Sequence, residues 1–197
     1  KSEADLNGKT VGVSGVGSVT QWLVNQIAVK QGWGLGAIKV VGIGENAARV
    51  AAVKAGSIDG GVVDIASALL YAKSGEGRIL NRFANTASDF HVHVMFGTDK
   101  AIAQKPEAIR AFIAGWFETI DFMRANKAKS VEIAAEVMGT DKELAGAIYD
   151  ELMPMFANDG KFNPKALDVL AKSFVELKTL PIEPDMSKLY TEALLPK

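Results

Sequence analysis

Apolar and polar positions near the start of the chain change from a strand-like to a helical spacing. Thr10–Val13 is a short β-rich run, and after Ser18 apolar residues recur every three or four positions. Ser18 and Gln21 have the spacing of a capping box, which predicts that the helix begins there. Residues 6–31 therefore predict a strand, a turn containing Gly15 and Gly17, and a helix.

The same alternation continues as far as residue 97. Further strands are predicted at 37–43, 60–63, 78–83 and 91–96, with helices at 47–55 and Ile65–Lys73. Gly56 and Gly75 stand where helix C-termini favour glycine. Helices that alternate with strands predict an α/β fold with a doubly wound, mainly parallel sheet.

After residue 97 the pattern is helical. A helix is predicted from Pro106, and others at 130–138, 144–152, 164–178 and 185–194. Thr140 with Glu143 forms a second capping-box pattern, Asn163 precedes a first-turn proline, and Asp185 can cap the last helix.

These late helices carry one-sided apolar stripes that need a partner surface. In the first of them the stripe contains Ile109, Phe112, Ile113 and Trp116, and Trp116 is expected in the core. We expect the stripes to pack against a second copy of the chain, giving a homo-oligomer, or to remain partly exposed.

Composition excludes several classes of protein. The chain has 197 residues, of which 48% are hydrophobic, so a large core is expected. A net charge of −1 without a basic run argues against nucleic-acid binding. With no cysteine there is no disulfide or thiolate chemistry, and no signal peptide or run of membrane-spanning length is visible.

The glycine turn is the strongest candidate for chemistry. A helix N-terminus offers free N–H groups and a positive dipole end, and glycines let the backbone approach a ligand closely. This combination suits a small anionic or strongly polar molecule. Thr20 stands where a dinucleotide fingerprint needs its last small residue, so that motif is incomplete.

Other candidate residues favour a non-catalytic protein. His91 and His93 lie two apart on a predicted strand, but no third ligand for a metal is evident, so no metal site is predicted. Trp22 follows the glycine turn and is expected to be buried. No nucleophile with a base and no phosphate-binding lysine motif is recognisable, and no cofactor is predicted.

Three phrases of the sequence carry a resemblance to a known family: DLNGKTVGVSGVGS, GENAARVAAVKAGSIDGGVVD and KPEAIRAFIAGWFETIDFMRAN. They resemble the solute-binding proteins of ABC importers, of the nitrate, sulfonate and taurine type that includes binders of thiamine-pyrimidine precursors. The resemblance implies a type II periplasmic binding fold, in which two α/β lobes close on a ligand, an extracytoplasmic location and a membrane permease as partner.

The resemblance also implies a division of the chain. Residues 8–92 correspond to the complete second lobe, 93–97 to the hinge crossing, and 98–197 to the helical C-terminal part of lobe one. The N-terminal part of lobe one is not matched by any segment of this sequence, so half of the binding cleft is expected to be missing.

Ligand-binding positions follow from the resemblance at the ends of predicted strands. They are Ser14, Gly15, Gly17, Ser18, Thr20, Asn46 and Asp64. Amides and hydroxyls of the glycine turn would hold a sulfonate, carboxylate or phosphate. Asp64 has two interpretations: it holds a ligand amine, as in taurine, or it caps its helix, which is the commoner use of Asp at such a position.

Two other functions share this architecture. One is an enzyme of the pyrimidine-precursor or menaquinone-pathway type, against which the shortage of acid–base residues argues. The other is the effector-sensing domain of a transcription regulator, against which the all-helical second half argues.

Overall fold

The computed structural model describes residues 2–91 and 93–196. Three strands lie in the first third of the chain: β1 (Thr10–Val13), β2 (Lys39–Gly42) and β3 (Gly60–Gly61). The helices of the described residues are α1 (Val19–Lys30), α2 (Asn46–Lys54), α3 (Ile65–Lys73), α4 (Asp99–Gln104), α5 (Pro106–Ala125), α6 (Lys127–Met138), α7 (Lys142–Leu152) and α8 (Pro164–Glu176). Single 3₁₀ turns stand at Glu3–Leu6, Phe83–Asn85, Met153–Met155 and Met186–Lys188.

The sheet is parallel, with β1 at its centre and the strand order β2-β1-β3. Val11 and Val13 belong to a buried cluster with Val24 and Ile27 of α1. The opposite face of β1 carries Gly12, which packs towards α2. Helices therefore cover both faces, because the chain reverses its direction of winding after β2, and the prediction of a doubly wound parallel α/β fold is confirmed.

Capping residues and glycines in the sequence correctly predicted several helix ends in the part of the chain that contains the sheet. Ser18 caps α1 and Asp64 caps α3 through their side chains. Gly56 and Gly75 have φ values of +69° and +75°, as expected just beyond helix ends.

Two predicted strands are wrong. Residues 78–83 carry no strand, and Phe83 begins a 3₁₀ turn. Residues 91 and 93–96 carry none either, while Val92 lies outside the described residues. β-branched and aromatic content favours strands only when a neighbouring edge is available for pairing, and no strand of the described chain pairs with these segments.

The chain divides into two compact units. The first comprises residues 1–90 and 168–184, and contains the sheet. The second comprises residues 91–167 and 185–197, and its described part is helical. Residues 168–184 thus group with the sheet, whereas the predicted lobe limits at 8–92, 93–97 and 98–197 follow sequence order; those limits stay a prediction.

In the second unit, α6 packs on α7 through Val131, Ala135 and Ala145. The cap of α7 is Asp141, whose carboxylate accepts the N–H of Leu144 at 2.9 Å, so the Thr140 box is wrong by one residue. The predicted helix 185–194 is also wrong: Asp185 caps only the 3₁₀ turn Met186–Lys188.

The apolar stripe of α5 is partly exposed, which was one of the two outcomes expected from the sequence. Trp116 is 42% exposed and Phe112 is 63% exposed, so the core position expected for Trp116 is wrong. Packing of this stripe against a second copy stays a prediction.

No helix in the ranges 2–91 and 93–196 is both long and apolar enough to cross a membrane.

Candidate functional site

Three hydroxyl groups meet where the chain leaves the central strand. Ser14 directly follows β1, and its backbone N–H donates to Oγ1 of Thr20 at 2.9 Å. The Ser14 and Thr20 hydroxyls are 2.9 Å apart, and the Ser18 and Thr20 hydroxyls are 2.7 Å apart. The glycine turn is therefore held closed by Thr20, from the first turn of α1.

The start of α1 differs from the predicted capping box in one bond. Oγ of Ser18 accepts the N–H of Gln21 at 3.4 Å, as expected. The Gln21 side chain reaches one residue further back and accepts the N–H of Gly17 at 2.8 Å. Gly17 has φ +80°, a conformation that favours glycine and turns this N–H towards the helix.

These bonds restrict which backbone groups are free for a ligand. The amides of Ser14, Gly17 and Gln21 already bond to side chains of the turn, and that of Ser18 bonds to the Gly15 carbonyl at 3.3 Å. Within the described chain, the amides of the glycine turn and of the first turn of α1 that bond to no acceptor are those of Gly15, Val16, Val19 and Thr20. A ligand at this edge would meet amides of this set and the hydroxyl cluster.

Gly42, at the end of β2, was not singled out from the sequence. A Cβ added to it would lie 3.3 Å from Cα of Gly15 and 3.6 Å from N of Val16. The glycine turn thus packs directly on the backbone of the neighbouring strand. The pairing of Gly42 with Val13 in the parallel ladder determines this contact, which the sequence alone did not reveal.

A buried arginine joins the ends of two strands on the other side of the sheet. Arg49 of α2 is 4% exposed. Its Nε donates to the Val62 carbonyl at 2.6 Å, and its two terminal nitrogens donate to the Gly44 carbonyl and to Oδ1 of Asn46. Burial lowers the pKa of Arg49, an effect that the carboxylates of Glu45 and Asp64 oppose. Sequence reasoning missed Arg49, since a single arginine on a helix gives no signal of burial.

The structure brings Asn46 and Asp64 together. Nδ2 of Asn46 donates to Oδ2 of Asp64. Oδ1 of Asp64 accepts the N–H of Ser67 at 2.8 Å, which is the helix cap expected as its commoner use. Arg49, Asn46 and Asp64 therefore form one connected polar chain where β2 and β3 end. The ligand-amine interpretation of Asp64 is not tested by these contacts.

Trp22 is 3% exposed, so its expected burial is confirmed. Its ring stacks on Phe90 with centroids 4.7 Å apart, and its Nε1 donates to Oε2 of Glu176 at 2.6 Å. The segment after Glu176 then passes the glycine turn: a Cβ on Gly17 would lie 3.7 Å from the methyl group of Thr179. Residues 168–184 therefore support the turn from outside the sequence region that predicted it.

His91 and His93 lie outside the strands of the described residues, so the strand predicted to carry them is wrong. Nε2 of His91 accepts the backbone N–H of Asn163 at 3.0 Å. In the ranges 2–91 and 93–196 no group of three or more His, Cys, Asp and Glu is placed to hold a metal ion.

A family model matches this chain, and solved structures are similar to it. A family model described as NMT1/THI5 like matches residues 1–130. The alkanesulfonate-binding protein SsuA from Xanthomonas axonopodis pv. citri, bound to MOPS, is similar with a TM-score of 0.73 at 16% identity. The periplasmic aliphatic sulphonate binding protein SsuA from Escherichia coli is similar with a TM-score of 0.72 at 17% identity. No match to a curated protein sequence was found.

These similarities extend over nearly all of this chain but only part of the other two. The first alignment covers 95% of this chain and 64% of that one, and the second covers 98% and 61%. At this level of identity they show a shared fold. The fold expected from the resemblance is thereby confirmed.

Proposed function

The chain belongs to the NMT1/THI5-like family, and we propose that it serves as the substrate-binding component of an ABC-type importer. It binds a small anionic or zwitterionic organic solute without chemical change, outside the cytoplasm, and delivers it to a membrane permease. Both similar structures are described as binding proteins, which supports a non-catalytic role.

The observation that carries the proposal is the hydroxyl cluster at the carboxyl end of β1. Ser14, Ser18 and Thr20 place their hydroxyl oxygens within 2.9 Å of their neighbours, beside the amides of Val19 and Thr20 at the start of α1. Hydroxyls and helix N-terminal amides are donors suited to an oxyanion. In doubly wound sheets, ligands bind outside the carboxyl ends of strands where the winding reverses, which is the position of β1.

The proposed ligand class is a sulfonate, taurine, nitrate or a pyrimidine precursor. Ser14, Gly15, Gly17, Ser18 and Thr20 would receive its anionic group. Asn46 and Asp64, where β2 and β3 end, would receive a ligand amine. The proposal favours a sulfonate, because one similar protein is described as alkanesulfonate-binding and was solved with MOPS.

Calorimetric titration with MOPS, methanesulfonate, taurine, nitrate and a pyrimidine precursor tests the proposal. We expect heat with at least one sulfonate, and Ser14→Ala to weaken its binding by about tenfold, the loss of one hydrogen bond to a charged group. Ser57→Ala is the matched control, because Ser57 lies far from the glycine turn in the sequence and its hydroxyl donates to the Ala52 carbonyl at 3.0 Å.

A second variant probes the turn without removing a ligand group. Gly42→Ala displaces the Gly15 backbone by a few tenths of an ångström and is expected to weaken the same titration. Gly60→Ala is its control, since its Cβ meets only Cγ2 of Val11, at 3.8 Å. Because the similar chains are longer, the panel is repeated with the longest form that the gene encodes; no heat from either form contradicts the proposal.

A further inference from the structure

His91, the first residue of the second compact unit, is bound to the start of α8. Its Nε2 accepts the N–H of Asn163 at 3.0 Å, and its ring meets that of Phe162 edge-on, with centroids 5.2 Å apart. Asn163 directly precedes α8, where its carbonyl accepts the N–H of Leu167 and its Oδ1 accepts the N–H of Lys165. An N–H pointing at Nε2 requires a neutral imidazole with its proton on Nδ1.

We propose that His91 is a pH-sensitive latch on residues 160–163, closed when its imidazole is neutral and released when it is protonated. Protonation places a hydrogen on Nε2, where it faces the N–H of Asn163, and two donors cannot bond. The imidazolium also stands beside the N-terminus of α8, where the backbone dipoles disfavour a cation. Histidine is the side chain that ordinarily titrates between about pH 5 and 8.

The segments packed around the latch contribute charges of both signs. Phe162 contacts Tyr190 with ring centroids 4.7 Å apart, and its N–H donates to Oε1 of Glu192 at 2.9 Å. The charged and titratable side chains of these segments are Asp159, Lys161, Lys165, Tyr190 and Glu192, and the segment that carries His91 contributes Asp89 and His93.

The protonation state of the imidazole can be measured without any mutation. Nitrogen-15 spectra of the chain at about pH 7.5 are expected to show Nε2 of His91 as the unprotonated nitrogen and Nδ1 as the protonated one. His93 provides an internal comparison, since the chain has two histidines. A proton on Nε2 of His91 at this pH would overturn the proposal.

Hydrogen exchange of the Asn163 amide tests the release. After correction for intrinsic exchange rates, its protection is expected to fall by about tenfold or more between about pH 7.5 and pH 5, following the loss of neutral histidine. His91→Gln, whose side-chain oxygen accepts at both pH values, is expected to remove this dependence. His93→Gln and Glu192→Gln are expected to retain it.

Equal protection at the two pH values in the unaltered chain overturns the latch. So does a dependence that disappears in His93→Gln and persists in His91→Gln. If His91→Gln does not fold, the nitrogen spectra and the exchange of the unaltered chain decide the matter between them.

Discussion

Trp22 and Glu176 are 154 positions apart in the sequence, yet Nε1 of the indole donates to Oε2 of the carboxylate at 2.6 Å. Gln26, one turn further along α1, donates to the same oxygen at 3.2 Å. The carboxylate at the end of α8 is thus the acceptor that allows the indole N–H to be buried behind the glycine turn.

Glu176→Ala is expected to lower the free energy of unfolding by about 1–2 kcal/mol, because it leaves a buried donor without its acceptor. Urea denaturation followed by tryptophan fluorescence measures the change. Glu176→Gln, which retains a side-chain oxygen, is expected to recover most of the loss. Glu183→Ala, at an exposed position of the same unit, serves as control and should change the value by less than about 0.5 kcal/mol. Equal losses in the two alanine variants would contradict the role of Glu176.

Asp59 makes the stability of the start of β1 depend on pH. Its Oδ2 accepts the N–H of Thr10 at 2.9 Å, and its Oδ1 lies 3.4 Å from Nζ of Lys9. The Thr10 hydrogen bond, followed by the contact with Lys9, lowers the pKa of Asp59. A lowered folded-state pKa means that this contribution is present above the ordinary carboxyl value of about 4 and is lost as the pH falls through the folded value.

Asp59→Asn is therefore expected to flatten, without abolishing, the decline in stability on the acid side of about pH 4. Other carboxylates with lowered pKa values, such as Glu76 beside Lys54, maintain the remaining slope. Urea midpoints measured across the acid range give the two profiles. Glu183→Gln is the control, and a slope unchanged by Asp59→Asn would count against this account.

Lys178, two residues beyond the end of α8, has a backbone conformation that glycine normally adopts. Its φ is +57°, and its N–H donates to the Val175 carbonyl at 2.9 Å while that of Thr179 donates to the Phe174 carbonyl at 2.9 Å. This is the Schellman arrangement, with Lys178 at the left-handed position. A side chain there carries a steric cost of roughly 1 kcal/mol that glycine lacks.

Lys178→Gly is accordingly expected to raise the free energy of unfolding, by up to about 1 kcal/mol. Lys172→Gly, in the interior of the same helix, is expected to lower it by about 1 kcal/mol. Thermal and urea denaturation of the pair provide the comparison. A loss of stability in both variants would show that the lysine side chain itself contributes.

Family membership and the glycine turn were accessible from the sequence, because both depend on residues close together in the chain. The Ser18 and Asp64 caps were predicted correctly for the same reason: each cap satisfies an N–H only three residues away. The capping box at Gln21 was wrong in detail, since Gly17 turns its own N–H towards that side chain. Which residues hold the ligand stays a prediction. Side chains of the turn itself already accept three of its amides, those of Ser14, Gly17 and Gln21.

By itself, the sequence determined the alternation of strands and helices from β1 to α3, the Ser18 and Asp64 helix caps and the absence of cysteine chemistry. Only the tertiary structure decided that residues 78–83 pair with no strand and that Trp116 is partly exposed. It also decided that Arg49 is buried, with hydrogen bonds to carbonyls just beyond the ends of β2 and β3. The physical reason is the range of the forces involved. Caps and turns form between neighbours in sequence, whereas pairing, burial and desolvation depend on which distant segment arrives beside a residue.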